Sequence, residues 1–226
     1  YQMKETMTVM YAALQRIAPP ETRDADGVLD ELEINALALA CGEKKAVILS
    51  LDSCGLNVET NNYFRSAISE ATGLPMDAIF LTCTHTHTAP NIHTRFFPKD
   101  PYLMNSLGDL SLAAAQGAIR DLSEAEAYFS RSELPEISFN RRYIMKDGSC
   151  KTNPGRRNPD ILGPASPPDD TIQLLRFDRG EKGDILLVNF QVHPDVRGRK
   201  CGNLISADYP GVVCAAVEGA LPGTHC

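Results

Sequence analysis

The stretch "AIFLTCTHTHTAPN" (78–91) is an apolar run that passes through Thr and Cys into two histidines two residues apart, then reaches Ala-Pro-Asn. It reads as a strand over 78–86. Upstream, "KAVILSLDSC" (45–54) is a second apolar run, and "NNYFRSAISEATG" (61–73) lies between them with Phe64, Ala67, Ile68 and Ala71 at helical spacing and a closing Gly73. Strand, helix and strand in that order make a unit whose strands run parallel, with functional groups collecting at the carboxyl ends of the strands. His85 and His87 fall at such an end.

The rest of the chain extends this pattern. "LEINALALAC" (32–41) pairs with 45–54 through the turn "GEKK", and an Ala-rich helix is expected over 100–122. Strands are expected at 126–134 and 137–143, then a Pro/Gly-rich loop over 146–170. A β-hairpin over 171–194 turns at "RGEKGD", and a last helix covers 208–223. About seven strands and four helices in mixed order give an α/β class, a mixed β-sheet sandwich flanked by helices. The 226 residues are read as a single domain.

Composition narrows the function classes. The net charge is −7 at a pI near 5.2, without a dense Lys/Arg run, so nucleic acid is excluded as a natural partner. No apolar run reaches the roughly 20 residues of a membrane-spanning helix. A neutral or amphiphilic small-molecule substrate fits this surface. The chain begins on Tyr1, as a chain with a leader removed would. Its seven cysteines are odd in number and form no CxxC pair, which points to buried free thiols and an intracellular setting rather than a disulfide scaffold.

On an extended strand, residues i and i+2 share a face, so His85 and His87 project together and can offer two imidazoles to one zinc ion. Two ordinary half-buried polar residues would have the same spacing. His193 shifts the balance, because it too ends an apolar strand, "DILLVNFQV", before a proline. Cys83 has the parity of the histidines and is a weaker ligand candidate. His93 lies in the adjoining loop and His225 near the end, and both read more simply as ordinary polar residues. Asp52 ends its strand toward the same edge and is either a site residue or a turn former. Arg141 follows Asn140 before a loop, and Asp208 stands where it would cap the last helix.

With these residues in view, the sequence resembles the neutral/alkaline, non-lysosomal ceramidase family. "THTHTAPN" (84–91) is similar to the family's "HTHSGP". "RDADGVLDELEINALAL" (23–39), "AVILSLDSCGL" (46–56), "FNRR" (139–142), "NFQVHP" (189–194) and "SADYPG" (206–211) resemble its other segments in order. The resemblance implies a zinc-dependent amidase that cleaves an N-acyl bond by a metal-bound water. It implies Zn2+ ligation by His85 and His193, with His87 beside the metal facing substrate or oxyanion, and Arg141 positioning substrate or stabilising negative charge. It also implies a lipid-like N-acyl substrate, and an extracellular setting as a rival to the intracellular one.

The departures are specific. The glycines of the family's loop are replaced by Thr88-Ala89-Pro90-Asn91-Ile92, and the early "DITPP" is echoed only by "RIAPP" (16–20). The remaining ligands of the family, a Glu and a Tyr, belong to segments beyond residue 226. The expectation is therefore an incomplete catalytic domain, the N-terminal portion of a longer one. A catalytically inactive relative serving as a binding or assembly module is the alternative.

Overall fold

The computed structural model describes residues 5–6, 25–90, 92, 101–197 and 203–226. The 16–20 segment, Asn91, His93 and Cys201 lie outside them. The chain clusters into two compact units: residues 1–126, 178–185 and 193–226 form the first, and 127–177 with 186–192 the second.

The first unit is built on a mixed four-stranded sheet in the order β1 (Glu5–Thr6), β3 (Glu33–Cys41), β4 (Lys44–Leu51), β5 (Ile79–Cys83). β3 and β4 are antiparallel, paired from Ile34↔Leu51 to Cys41↔Lys44, and the two-residue turn between them places Gly42 at φ 58. β4 and β5 are parallel from Val47↔Ile79 to Leu51↔Cys83, as the strand–helix–strand reading requires. A parallel pair joins β2 (Gly27–Val28) to β12 (Leu204–Ile205).

Alternation decides which face is covered. Ile34, Ala36 and Ala38 of β3 and Val47, Leu49 and Leu51 of β4 are buried. They pack with Phe64 and Ile68 of α1 (Val58–Thr72) and with Leu103, Leu107, Ala114, Ala115 and Ala118 of α2 (Pro101–Arg120). The small residues of α2 let the helix lie close on the strands. Burial of each large side chain such as Phe64 or Ile68 contributes roughly 1.5–3 kcal/mol. Asn57 caps α1 by accepting the Thr60 N–H at 2.8 Å, and Gly73 at φ 73 closes it. The helix α3 (Asp208–Ala220) completes the unit.

The second unit holds two three-stranded sheets. One has the order β11 (Ile185–Phe190), β10 (Thr171–Asp178), β6 (Glu126–Glu133), and the other β8 (Cys150–Thr152), β7 (Arg142–Met145), β9 (Ile161–Pro164). The hairpin expected over 171–194 is present, with a 3-10 turn at Gly180–Lys182 between its strands.

Several expectations are corrected. The region 146–170 is not a bare loop, because β8 and β9 flank β7 antiparallel, turned by Gly148 at φ 78. The strand expected at 137–143 begins only at Arg142: Glu136 has φ 71, and the Asn140 side chain accepts the Arg142 N–H at 2.9 Å, a local turn that competes with strand pairing. Among the described residues there are twelve strands rather than about seven. The thiols are not uniformly buried, since Cys41 and Cys150 are exposed.

Candidate metal centre

Leu51 and Cys83 are partners at the last rung of the parallel pair, so the segments after β4 and β5 leave the sheet side by side. Thr84 N–H donates to the Leu51 carbonyl at 2.9 Å and His85 N–H to that of Ser53 at 3.0 Å. The strand itself stops at Cys83, short of the expected 86. His85 adopts φ 68, a left-handed conformation that no strand admits. The same-face argument for His85 and His87 therefore does not apply. They are brought together by a turn.

The alternating "THTHT" has a different use. Its threonines point inward and its histidines outward. Thr84 Oγ1 donates to Asp52 at 3.0 Å, and Thr86, fully buried, donates to the Ser206 carbonyl at 2.9 Å. Thr88 reaches the same carbonyl at 2.8 Å. Ser206 in turn donates to the Asp30 carboxylate at 2.7 and 2.9 Å. His85 and His87 are left on the exposed side.

His193 arrives by a third route. β11 ends at Phe190, so His193 stands beyond its strand rather than on it, and the Pro194 carbonyl accepts His87 N–H at 3.2 Å. The turn after it is fixed by Asp208, whose carboxylate accepts the Val196 and Arg197 N–H groups at 3.3 and 2.9 Å. Asp208 is fully buried at φ 58 and lies inside the first turn of α3. The N-cap is Ala207, without a side-chain bond, so the expected capping role is replaced by this one.

Three imidazoles meet as a result. Ring centroids are 4.9 Å apart for His85 and His87, 5.2 Å for His85 and His193, and 4.6 Å for His87 and His193. His85 Nδ1 faces the Cys54 carbonyl, which can only accept. In the neutral ring the proton therefore sits on Nδ1, and Nε2 keeps its lone pair, the arrangement typical of a metal-ligating histidine. His85 Nε2 is 3.4 Å from His87 Nε2. Zinc takes imidazole nitrogens, and three rings with centroids 4.6–5.2 Å apart bring such donors to one point, so the donor set fits such an ion.

Cys54 also joins the group, with its sulfur 3.8 Å from His87 Nε2 and 3.9 Å from His85 Nδ1. Sequence reasoning passed over it in favour of Cys83. The available signal was its place just past β4, the strand parallel to the one before the histidines. Cys83 instead packs against the core, and burial, with Cys54 and Asp52 nearby, pushes its thiol up to about 12. Burial and then Asp195 push the Cys54 thiol above its usual range as well.

Asp52 is at the expected edge but beneath it, accepting Glu33 N–H and Thr84 O–H. Burial raises its carboxyl to about 6. Arg141 lies in the second unit, exposed, with its carbonyl accepting Asn153 N–H at 2.9 Å. His225 pairs with Ile185 in an isolated parallel bridge.

No protein-family model and no curated protein matches this chain. Solved structures do. A "Ceramidase complexed with C2" aligns at a TM-score of 0.68 and 18% identity, over 91% of this chain and 32% of that one. The neutral ceramidase of Pseudomonas aeruginosa aligns at 0.67 and 19% identity, over 91% of this chain and 33% of that one. The chain thus spans about a third of the length of the structures it matches. It has the fold of a segment of neutral ceramidase.

Proposed function

We propose that this chain is the histidine-bearing, N-terminal portion of a zinc-dependent hydrolase that cleaves an N-acyl amide, ceramidase-like in its chemistry. The single observation that carries the reading is the convergence of His85, His87 and His193, with centroids 4.6–5.2 Å apart, at the carboxyl ends of a parallel strand pair. The fold shared with neutral ceramidase supports it.

In this reading His85, through Nε2, and His193 hold the ion. When bound, zinc supplies Lewis acidity toward a carbonyl oxygen and acidifies a water molecule. His87 orients the carbonyl and donates a hydrogen bond to the charge that develops on its oxygen. Arg141 is assigned the binding of substrate or of that charge by the likeness of "FNRR" (139–142) to the corresponding ceramidase segment. Asp52, through Thr84, and Asp208, through the turn after His193, hold the two histidine segments in place. The substrate class proposed is a lipid-like N-acyl amide such as ceramide. No helix among the described residues is long and apolar enough to cross a membrane.

The test is zinc stoichiometry by elemental analysis on the longest natural form of the protein, followed by hydrolysis of a panel of N-acyl substrates. About one zinc per chain, lost in His85→Ala, together with release of free fatty acid, is the expected result. A chain that holds no zinc and cleaves none of the panel would overturn the reading and favour a binding module.

A further inference from the structure

Cys54 is a metal-binding side chain at this edge to which the proposed hydrolysis gives no task. It comes from the segment after β4, whereas His85 and His87 come from the segment after β5, so thiol and imidazoles approach one point along two separate stretches of chain. The donor atoms of Cys54, His85 and His87 all lie within 4.8 Å of one another. Around a tetrahedral zinc, a sulfur bound at about 2.3 Å and a nitrogen bound at about 2.0–2.1 Å lie about 3.5–3.6 Å apart. Cys54 Sγ stands 3.9 Å from Nδ1 of the His85 ring and 3.8 Å from His87 Nε2, so the sulfur lies beside the imidazole that holds the ion.

The position is well held. The Cys54 carbonyl accepts from His85 Nδ1, so the backbone of Cys54 orients the ring beside which its own sulfur sits. Cys54 is half-buried and is not in a disulfide, which leaves the sulfur able to reach an ion that enters from solvent.

We propose that Cys54 Sγ is a thiolate ligand of the same ion that His85 holds, giving this edge a mixed sulfur–nitrogen donor set. The inference rests on the metal reading above. Binding replaces the S–H bond by a sulfur–metal bond and releases the proton to solvent, with no change of oxidation state. A donor set of this kind takes borderline or soft cations such as Zn2+ or Co2+ and rejects Mg2+ and Ca2+.

Cobalt titration of the metal-free protein, in its longest natural form, tests this by absorption rather than by activity. Wild type is expected to show both the visible ligand-field bands of tetrahedral Co2+ and a near-ultraviolet thiolate-to-cobalt charge-transfer band. Cys54→Ser should lose the charge-transfer band and keep the ligand-field bands, and His85→Ala should lose both. Ligand-field bands without a charge-transfer band in wild type would overturn the sulfur ligand and leave the histidine reading standing. A charge-transfer band that survives Cys54→Ser would overturn it by assigning the sulfur elsewhere. Failure of folded wild type to bind Co2+ at all would overturn the underlying metal reading, and this inference with it.

Discussion

Thr86, buried in the middle of the histidine loop, donates its hydroxyl to the carbonyl of Ser206 at 2.9 Å, across 120 residues of chain. Thr88 shares that acceptor at 2.8 Å. The exposed histidines are thus placed by their buried neighbours.

Thr86→Val keeps the shape and removes the donor. Because Thr88 still satisfies the Ser206 carbonyl, the expected loss is about 1 kcal/mol in urea unfolding. Replacing both threonines leaves a buried acceptor unpaired and should cost more than the sum of the single changes, roughly 2–3 kcal/mol. Strict additivity in the double-mutant cycle would show that the two bonds act independently.

The proposed ligands separate from the proposed oxyanion donor in a metal assay. His85→Ala and His193→Ala should each remove most bound zinc. His87→Ala should keep it while lowering hydrolysis by on the order of 10²-fold or more, as loss of one oxyanion donor does. Equal zinc content in wild type and all three variants would refute the assignment.

Asp208→Ala should destabilise the fold by roughly 2–4 kcal/mol, because a buried carboxylate accepts the N–H groups of Val196, Arg197 and Tyr209, and charged acceptors are worth more than neutral ones. Since that carboxylate fixes the turn after His193, zinc affinity should fall as well. Unchanged affinity at unchanged pH would detach the turn from the metal centre.

The ion pair of Asp121 with Arg179 gives a pH signature. Arg179 Nη1 lies 2.7 Å from Asp121 Oδ2, and Lys182 Nζ lies 3.3 Å from Oδ1. Partial burial works upward on this carboxyl, but Arg179 and Lys182 outweigh it and hold its pKa below the ordinary carboxylate range. The unfolded chain therefore takes up the proton first. The stabilisation is present above about pH 4 and is lost as pH falls through the lower folded value. Asp121→Asn should cost about 1 kcal/mol at pH 7 and progressively less below pH 4. A cost independent of pH would contradict this.

Gly183→Ala should be among the more damaging single-methyl additions. Gly183 has φ 78, and a Cβ there would overlap the Gly223 carbonyl oxygen, a backbone atom that cannot rotate away. The expected loss is at least about 2 kcal/mol, read as a lowered melting temperature. A neutral effect would mean that the 178–185 turn is free to move from the chain around Gly223.

The sequence by itself determined the local elements and their direction. Helical spacing in 61–73 with Gly73 at its end, alternation in 33–51, and the strand–helix–strand order are properties of neighbouring residues, and α1, the β3–β4 hairpin and the parallel β4–β5 pair appear where those patterns place them. His85, His87 and His193 were legible too, as histidines that follow apolar runs. Tertiary structure alone decided how they meet. A period of two predicts a shared strand face, but the strand ends at Cys83 and His85 turns left-handed, because Thr84 and Thr86 are drawn to Asp52 and Ser206, partners distant in sequence. Cys54 stayed hidden for the same reason. A lone cysteine carries no pattern of its own, and only the pairing of β4 beside β5 brings its sulfur to the imidazoles.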